Sequence, residues 1–162
     1  CLQTMHDKKK SNHHDSVLLN ESLNSLNIKS NGIYIDATIG RCGHTRGILE
    51  RLGKSGRVIG LDQDIDAIKY AKINFTDSRL SLIHSNFSKL NEQLEKLKLI
   101  GKVDGILMDL GISSPQIDNA ERGFSFNKDG ALDMRMDQSK KLTAAIWLKE
   151  SSETEIANTL YR

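Results

Sequence analysis

Short apolar runs rich in β-branched residues alternate along the chain with stretches whose apolar residues recur every three or four positions. The first helical stretch carries Val17, Leu18, Leu19, Leu23, Leu26 and Ile28, and Ser30-Asn31-Gly32 stops it with a glycine suited to the turn. A strand over residues 33–36 follows, closed by Asp36, and then a loop with Gly40 and Gly43. Residues 45–52 predict a helix with Ile48, Leu49 and Leu52 on one side, ended by Gly53 and Gly56. Strand two covers 57–61 and is closed by Asp62, a helix covers 64–74, and strand three covers 80–84. Leu90, Leu94 and Leu97 stripe a helix over 87–100, and strand four runs over 103–108 to Asp109. Strands alternating with helices predict βαβ units and an α/β fold. The expected sheet is parallel, in order 3-2-1-4, with helices on both faces.

Residues 110–140 break this rhythm. They are rich in Gly, Ser and Asp, yet Phe124, Phe126, Leu132, Met134 and Met136 argue for packing. So long a segment is usually functional or disordered. Residues 143–149 and 152–161 read as two more helices, and residues 1–14 as a solvated basic tail with Lys8, Lys9 and Lys10 adjacent.

Composition narrows the class. A chain of 162 residues is one domain at about 150 residues per domain. Lys plus Arg is 23 and Asp plus Glu is 21, a net charge of +2 that excludes a histone-like polycation and an acidic tail but not a local basic patch. An apolar fraction of 38% is too high for a disordered chain of this charge. The sequence holds no apolar run long enough to span a bilayer and no secretory signal in its first twenty residues. Two cysteines, Cys1 and Cys42, make no disulfide framework of the secreted kind, so the expectation is a reduced, cytoplasmic protein without a membrane partner. The chain starts at Cys1, with Met5 a plausible natural start, and stops at Arg162 inside a helical pattern, which reads as a fragment.

Three predicted strands end in acids, Asp36, Asp62 and Asp109. In a doubly wound sheet ligands bind beyond the carboxyl ends of the strands. One such acid is commonly a helix cap; three of them, with a glycine loop after the first, favour a ligand site. Gly40, Gly43 and Gly47 do not make G-x-G-x-x-G, because Cys42 stands where the second glycine belongs. Asp62 closes strand two, where an acid accepts hydrogen bonds from a ribose diol. Together these features indicate an adenosine-type cofactor, with a nicotinamide dinucleotide and S-adenosylmethionine both open. Phe87, three residues past strand three, is either core or a lid on an adenine ring. The loop from Asp109 to Gln116, with small residues and Pro115, resembles the amine-holding loop of amino methyltransferases, though only Pro115 of their acid–Pro–Pro–aromatic form is present. His44 and His84 lack the spacing of a metal site, and Cys42 lacks a neighbouring base. There is no nucleophile elbow or P-loop.

Longer blocks decide between the two cofactors. His14-Asp15-Ser16-Val17-Leu18-Leu19, Tyr34-Ile35-Asp36-Ala37-Thr38-Ile39-Gly40-Arg41-Cys42-Gly43-His44 and Gly60-Leu61-Asp62-Gln63-Asp64 are followed by the block from Asp104 to Gln116. Arg122-Gly123-Phe124-Ser125-Phe126 and Asp129-Gly130-Ala131-Leu132-Asp133-Met134-Arg135-Met136 complete the set. In these blocks the chain resembles the bacterial 16S ribosomal RNA cytosine-N4 methyltransferase family, from residue 14 to the end. The resemblance implies a Rossmann-like methyltransferase sheet, here incomplete, over residues 15–115, and the start of an inserted helical substrate domain over 116–162. It implies S-adenosylmethionine as methyl donor and N4 of a cytidine in the decoding region of 16S rRNA as target, with the small ribosomal subunit as partner and no DNA. The family's donor-binding positions fall on Cys42, Gly43, His44, Asp62, Phe87, Asp109 and Gln116. The family usually has Gly where Cys42 stands, so the thiol is expected to crowd the methionine end of the donor.

Transfer to an amine needs positioning more than a strong base. Asp109, or the carbonyls of residues 110–114, would accept an N4–H. The target base must leave its stack, and Arg122, Phe124, Phe126 and Arg135 are the candidates for stacking and phosphate contact. The alternatives are a nicotinamide-dependent oxidoreductase, which the broken glycine motif and the last two blocks oppose, and a non-catalytic RNA-binding or assembly module. An unpaired edge on strand four would invite association, such as a homodimer.

Overall fold

The computed structural model describes residues 18–161. The basic tail expected at residues 1–14 lies outside the described residues. Helix α1 spans Leu19–Ser25, strand β1 Ile33–Asp36, α2 Gly43–Arg51, β2 Arg57–Asp62, α3 Ile65–Asn74 and β3 Leu80–His84. A 3-10 turn at Phe87–Lys89 leads into α4, Leu90–Leu97, and then β4, Gly105–Leu107. Helix α5 spans Ser114–Asp118, a second 3-10 turn Ala120–Arg122, α6 Ala144–Glu150 and α7 Glu153–Tyr161.

The sheet is parallel, in the order β3-β2-β1-β4. This is the order expected from the alternating pattern. Register places Tyr34 beside Val58 and Gly105, and Ile35 beside Ile59 and Ile106. Because successive strand residues point to opposite faces, Tyr34, Val58 and Leu80 pack with α1 and α2 through Leu23, Ile48 and Leu49. Leu80 and Leu82 also meet Ile68 and Ala71 of α3. Ile35, Ile59 and Leu61 turn to the other face and pack under Leu90 and Leu94 of α4. Both faces are therefore covered over β1 and β2, as a parallel sheet favours, while Ile106 of β4 remains exposed.

Several boundaries differ from the pattern, each for a local reason. The helix expected over 87–100 is interrupted. Asn86 caps the 3-10 turn by accepting the Ser88 N–H at 2.8 Å, and Lys98, with φ 57°, ends α4 so that Ile100 stays exposed. Strand four shrinks to three residues, and α2 begins two residues early at Gly43. Gly32 is not the stop of α1, which ends at Ser25 with Asn27 in the left-handed region. Gly32 is needed because a Cβ there would lie 2.6 Å from the Tyr34 ring. The 110–140 segment is an ordered strap carrying α5 and a 3-10 turn.

Candidate functional site

The carboxyl ends of β1, β2 and β4 meet in a laced set of loops. Asp36, 1% exposed, accepts the Thr45 hydroxyl at 2.6 Å and the Thr38 N–H at 3.2 Å. Burial pushes its carboxyl above the ordinary range, against these two hydrogen bonds. Of the three strand-ending acids, Asp36 thus braces the turn from inside. Thr38 in turn accepts the Asp109 N–H on its hydroxyl at 2.8 Å, tying the β1 loop to the β4 loop.

Asp62 holds the other side. Its two carboxylate oxygens accept the Gly40 N–H at 3.0 Å and the Asp64 N–H at 2.9 Å. Gly40 needs its glycine backbone, with φ 47°, to aim that N–H. Each carboxylate oxygen has two acceptor positions, so each of these two hydrogen bonds leaves one on its oxygen, with the Gln63 N–H also turned toward the group. Burial pushes the Asp62 carboxyl up, partly offset by these N–H groups.

Between these loops lies a pocket of about 660 Å³, within the usual range for small-molecule sites. Gly43, His44, Asp62, Phe87, Asp109 and Gln116 all line it. His44 is 5% exposed, and its Nε2 has no hydrogen-bond partner among the described residues. A buried ring nitrogen left unpaired is costly, so this atom fits a site completed by a ligand. Phe87 opens the 3-10 turn at the pocket edge with 36% of its surface exposed, positioned to cover a flat ring. Asp109 is exposed, and its carboxylate takes no hydrogen bond among the described residues. Gln116 forms wall rather than free donor. It accepts the Ser113 N–H at 3.0 Å and donates to Asp64 at 2.9 Å.

Cys42 is the exception. It does not line the pocket; fully buried, it packs with Ile39, Ile68 and Ala71. Its backbone stands at φ 64° and its side chain is buried on the core side of the loop, which argues against crowding of a ligand in the pocket. Burial, with Asp36 nearby, pushes the thiol up to about 12, leaving it protonated and inert. Cys42→Gly should leave ligand affinity unchanged. It removes about 1–2 kcal/mol of left-handed strain and loses apolar contact of similar size, so the expected stability change is within about 1 kcal/mol. Urea unfolding with a parallel ligand titration checks both; a clear change in affinity would return the thiol to the pocket wall.

The RNA-contact candidates divide. Arg122 is 4% exposed and donates to Asp64 at 2.9 Å and to the carbonyls of Arg135 and Met136, both at 3.1 Å. Arg135 forks onto Asp133 and donates to the Lys140 carbonyl at 2.6 Å. Both guanidinium groups hold contacts within the chain, Arg122 to Asp64 and two strap carbonyls and Arg135 to Asp133 and the Lys140 carbonyl. Phe124 is half-buried, whereas Phe126 is fully exposed, and neither lines the pocket.

Gln63, Asp64 and Met136 also line the pocket, although the sequence pattern does not single them out as site residues. Gln63 donates to the Met136 sulfur at 3.0 Å and accepts the Asn86 amide at 2.5 Å, so Met136 reaches the pocket from the strap. Asp64 caps α3 by accepting the Asp66 N–H at 3.0 Å, as its position suggests, and is also the buried acceptor for Gln116 and Arg122.

Two curated relatives, both named ribosomal RNA small subunit methyltransferase H, come from Ruthia magnifica subsp. Calyptogena magnifica and Vesicomyosocius okutanii subsp. Calyptogena okutanii (strain HA). They are 60% and 59% identical to this chain over 151 and 150 residues, covering 93% of it and 49% of each relative. The chain therefore spans about half the length of the curated relatives it matches. A solved structure from Clostridium thermocellum aligns at 26% identity and a TM-score of 0.43, over 46% of this chain and 45% of its own, and bears no weight here. A family profile matches residues 11–162. On that match, which takes in the whole sheet, the pocket and the strap, the chain belongs to the MraW methylase family.

Proposed function

We propose that this chain binds S-adenosylmethionine in the pocket and serves methyl transfer to the exocyclic N4 of a cytidine in the decoding region of 16S rRNA. The observation that carries the reading is the convergence of Asp62 and Asp109 on one pocket from opposite sides of the sheet's switch point. The donor chemistry and the RNA target rest on the family and on the names of the relatives. The small ribosomal subunit is the proposed partner and the cytoplasm the proposed place of action. Residues 116–162 are proposed as the start of the substrate-binding portion.

S-adenosylmethionine supplies an electrophilic methyl group carried on a sulfonium. The chain's own contribution is orientation. The open acceptor positions of Asp62 suit the two hydroxyls of a ribose, and Phe87 suits the face of an adenine. His44 Nε2 offers a ring nitrogen to a polar group of the donor. Asp109, exposed at the pocket and with no hydrogen bond to its carboxylate among the described residues, would accept an N–H of the attacking amine, offset the positive charge that develops on it and take the proton released on methylation. The β1–β4 tie through Thr38 fixes the Asp109 backbone relative to the Gly40 loop. Phe126, fully exposed on the strap, is the aromatic free to stack on an unpaired base.

The test is Asp109→Asn in the full-length protein. An amide is a weaker acceptor for an amine gaining positive charge, so single-turnover methyl transfer to 30S particles should fall about 10²-fold while donor affinity stays near that of the parent. Unchanged transfer would move the role to the carbonyls of residues 110–114. Transfer and donor binding falling together would make Asp109 a donor ligand only.

A further inference from the structure

One buried side chain of the strap, Arg122, reaches the N-terminus of α3, beside the Gln63–Met136 contact. We infer that Arg122 is a positioning residue whose guanidinium couples docking of the 123–136 strap to occupancy of the donor pocket. The inference rests on the proposed donor reading and adds to it a link between the donor side and the strap side.

Arg122 reaches three points at once. Its Nη2 lies 2.9 Å from Asp64 and 3.1 Å from each of the Arg135 and Met136 carbonyls. Asp64 sits at the N-terminus of α3, and its backbone N–H donates to Asp62, the proposed ribose acceptor. Met136, whose carbonyl Arg122 holds, is itself pocket wall. The Gln116 amide joins the same Asp64 oxygen, bringing the far end of the Asp109 loop into the network. Arg122 and Asp64 are 4% and 5% exposed, so water does not substitute for either partner. A single buried charge pair thus fixes the Asp62 side of the pocket, the Met136 wall and the end of the amine loop in one arrangement. All three contacts are made by Nη2, and a lysine ammonium could meet Asp64 but sits on a shorter, unbranched stem that places its nitrogen differently between the two carbonyls. A ligand bound against Asp62 and Met136 favours the arrangement in which the strap is docked, and by linkage a docked strap favours the ligand.

The test is amide hydrogen exchange on the full-length protein, with and without S-adenosylhomocysteine, for Arg122→Met, Arg122→Lys and the double variant Asp64→Asn/Arg122→Met. Without ligand, Arg122→Met should speed exchange across residues 123–136 about tenfold while the β1 and β2 amides keep their protection. Arg122→Lys should recover part of that loss. In the parent, S-adenosylhomocysteine should slow exchange across 123–136; in Arg122→Met it should not, and calorimetry should show about tenfold weaker binding. If Arg122→Met fails to fold, the double variant leaves no unpaired buried charge and gives the same reading on a folded core. Unchanged exchange in the ligand-free variants overturns the positioning role, as does protection lost equally in β1, β2 and the strap. Ligand that binds but slows the strap equally in parent and variant overturns the coupling alone. A parent that binds no S-adenosylhomocysteine overturns the proposed function and the coupling with it, leaving the ligand-free exchange to decide the positioning role.

Discussion

Asp64→Ala is expected to lower the stability of the fold by about 3–5 kcal/mol, the cost of leaving a buried charge without its partner. The chain has two roles for this side chain, and their magnitudes separate. As an N-cap of α3 it satisfies the Asp66 N–H, and loss of such a cap costs about 1 kcal/mol. As the acceptor for Arg122 and Gln116 it compensates a guanidinium that is 4% exposed. Asp66 does not replace it, since its carboxylate stands 3.8 Å from Arg122 and is well exposed. Equilibrium urea unfolding distinguishes the two roles. A loss near the cap value would mean that Arg122 finds water or another acceptor when Asp64 is gone. Asp64→Asn should fall between, because the amide still caps and still accepts but carries no charge.

Asp62→Ala is expected to weaken binding of S-adenosylhomocysteine by the value of two hydrogen bonds to a charged acceptor, about 1.5–3 kcal/mol each. The carboxylate is already shared with the Gly40 and Asp64 N–H groups, so part of the loss comes through the Gly40 loop. Asp62→Asn separates the contributions, since its one carbonyl oxygen can keep a single loop contact. The measurement is a calorimetric titration of each variant, beside thermal unfolding to establish that the fold is intact. An Asp62→Ala protein that binds as tightly as the parent would remove the ribose assignment.

The sheet was legible in the sequence because its strands are short, mostly apolar runs with sharp ends, buried in β1 and β2. Residues 33–36 and 80–84 match β1 and β3 as observed, and the order follows from the crossover rule for βαβ units. The pocket was legible for the same reason: residues that close parallel strands are brought together by topology however far apart they stand in the chain. What spacing does not carry is direction. Cys42 lies in the same loop as Gly43 and His44, yet a left-handed backbone turns its side chain into the core. Charge does not name its partner either. Arg122 in a polar segment reads as a candidate RNA contact, whereas its partner Asp64 is 58 residues away and nothing local announces the pair. Gln63 and Met136, 73 residues apart, meet only once the strap has folded over the sheet. The helix over 87–100 was overextended because its 4,3 stripe persists past Leu97, whereas the backbone turns left-handed at Lys98.

The central claim is methyl transfer to a cytidine amine from a donor held between Asp62 and Asp109. Its most direct test incubates the full-length protein with 30S particles and methyl-labelled S-adenosylmethionine, digests the rRNA to nucleosides and locates the label by mass spectrometry. The account predicts label on N4 of a single cytidine of 16S rRNA, lost with Asp109→Asn. Label on a ring carbon, on a ribose oxygen or on another nucleoside would contradict it, as would no transfer by a protein that binds the donor.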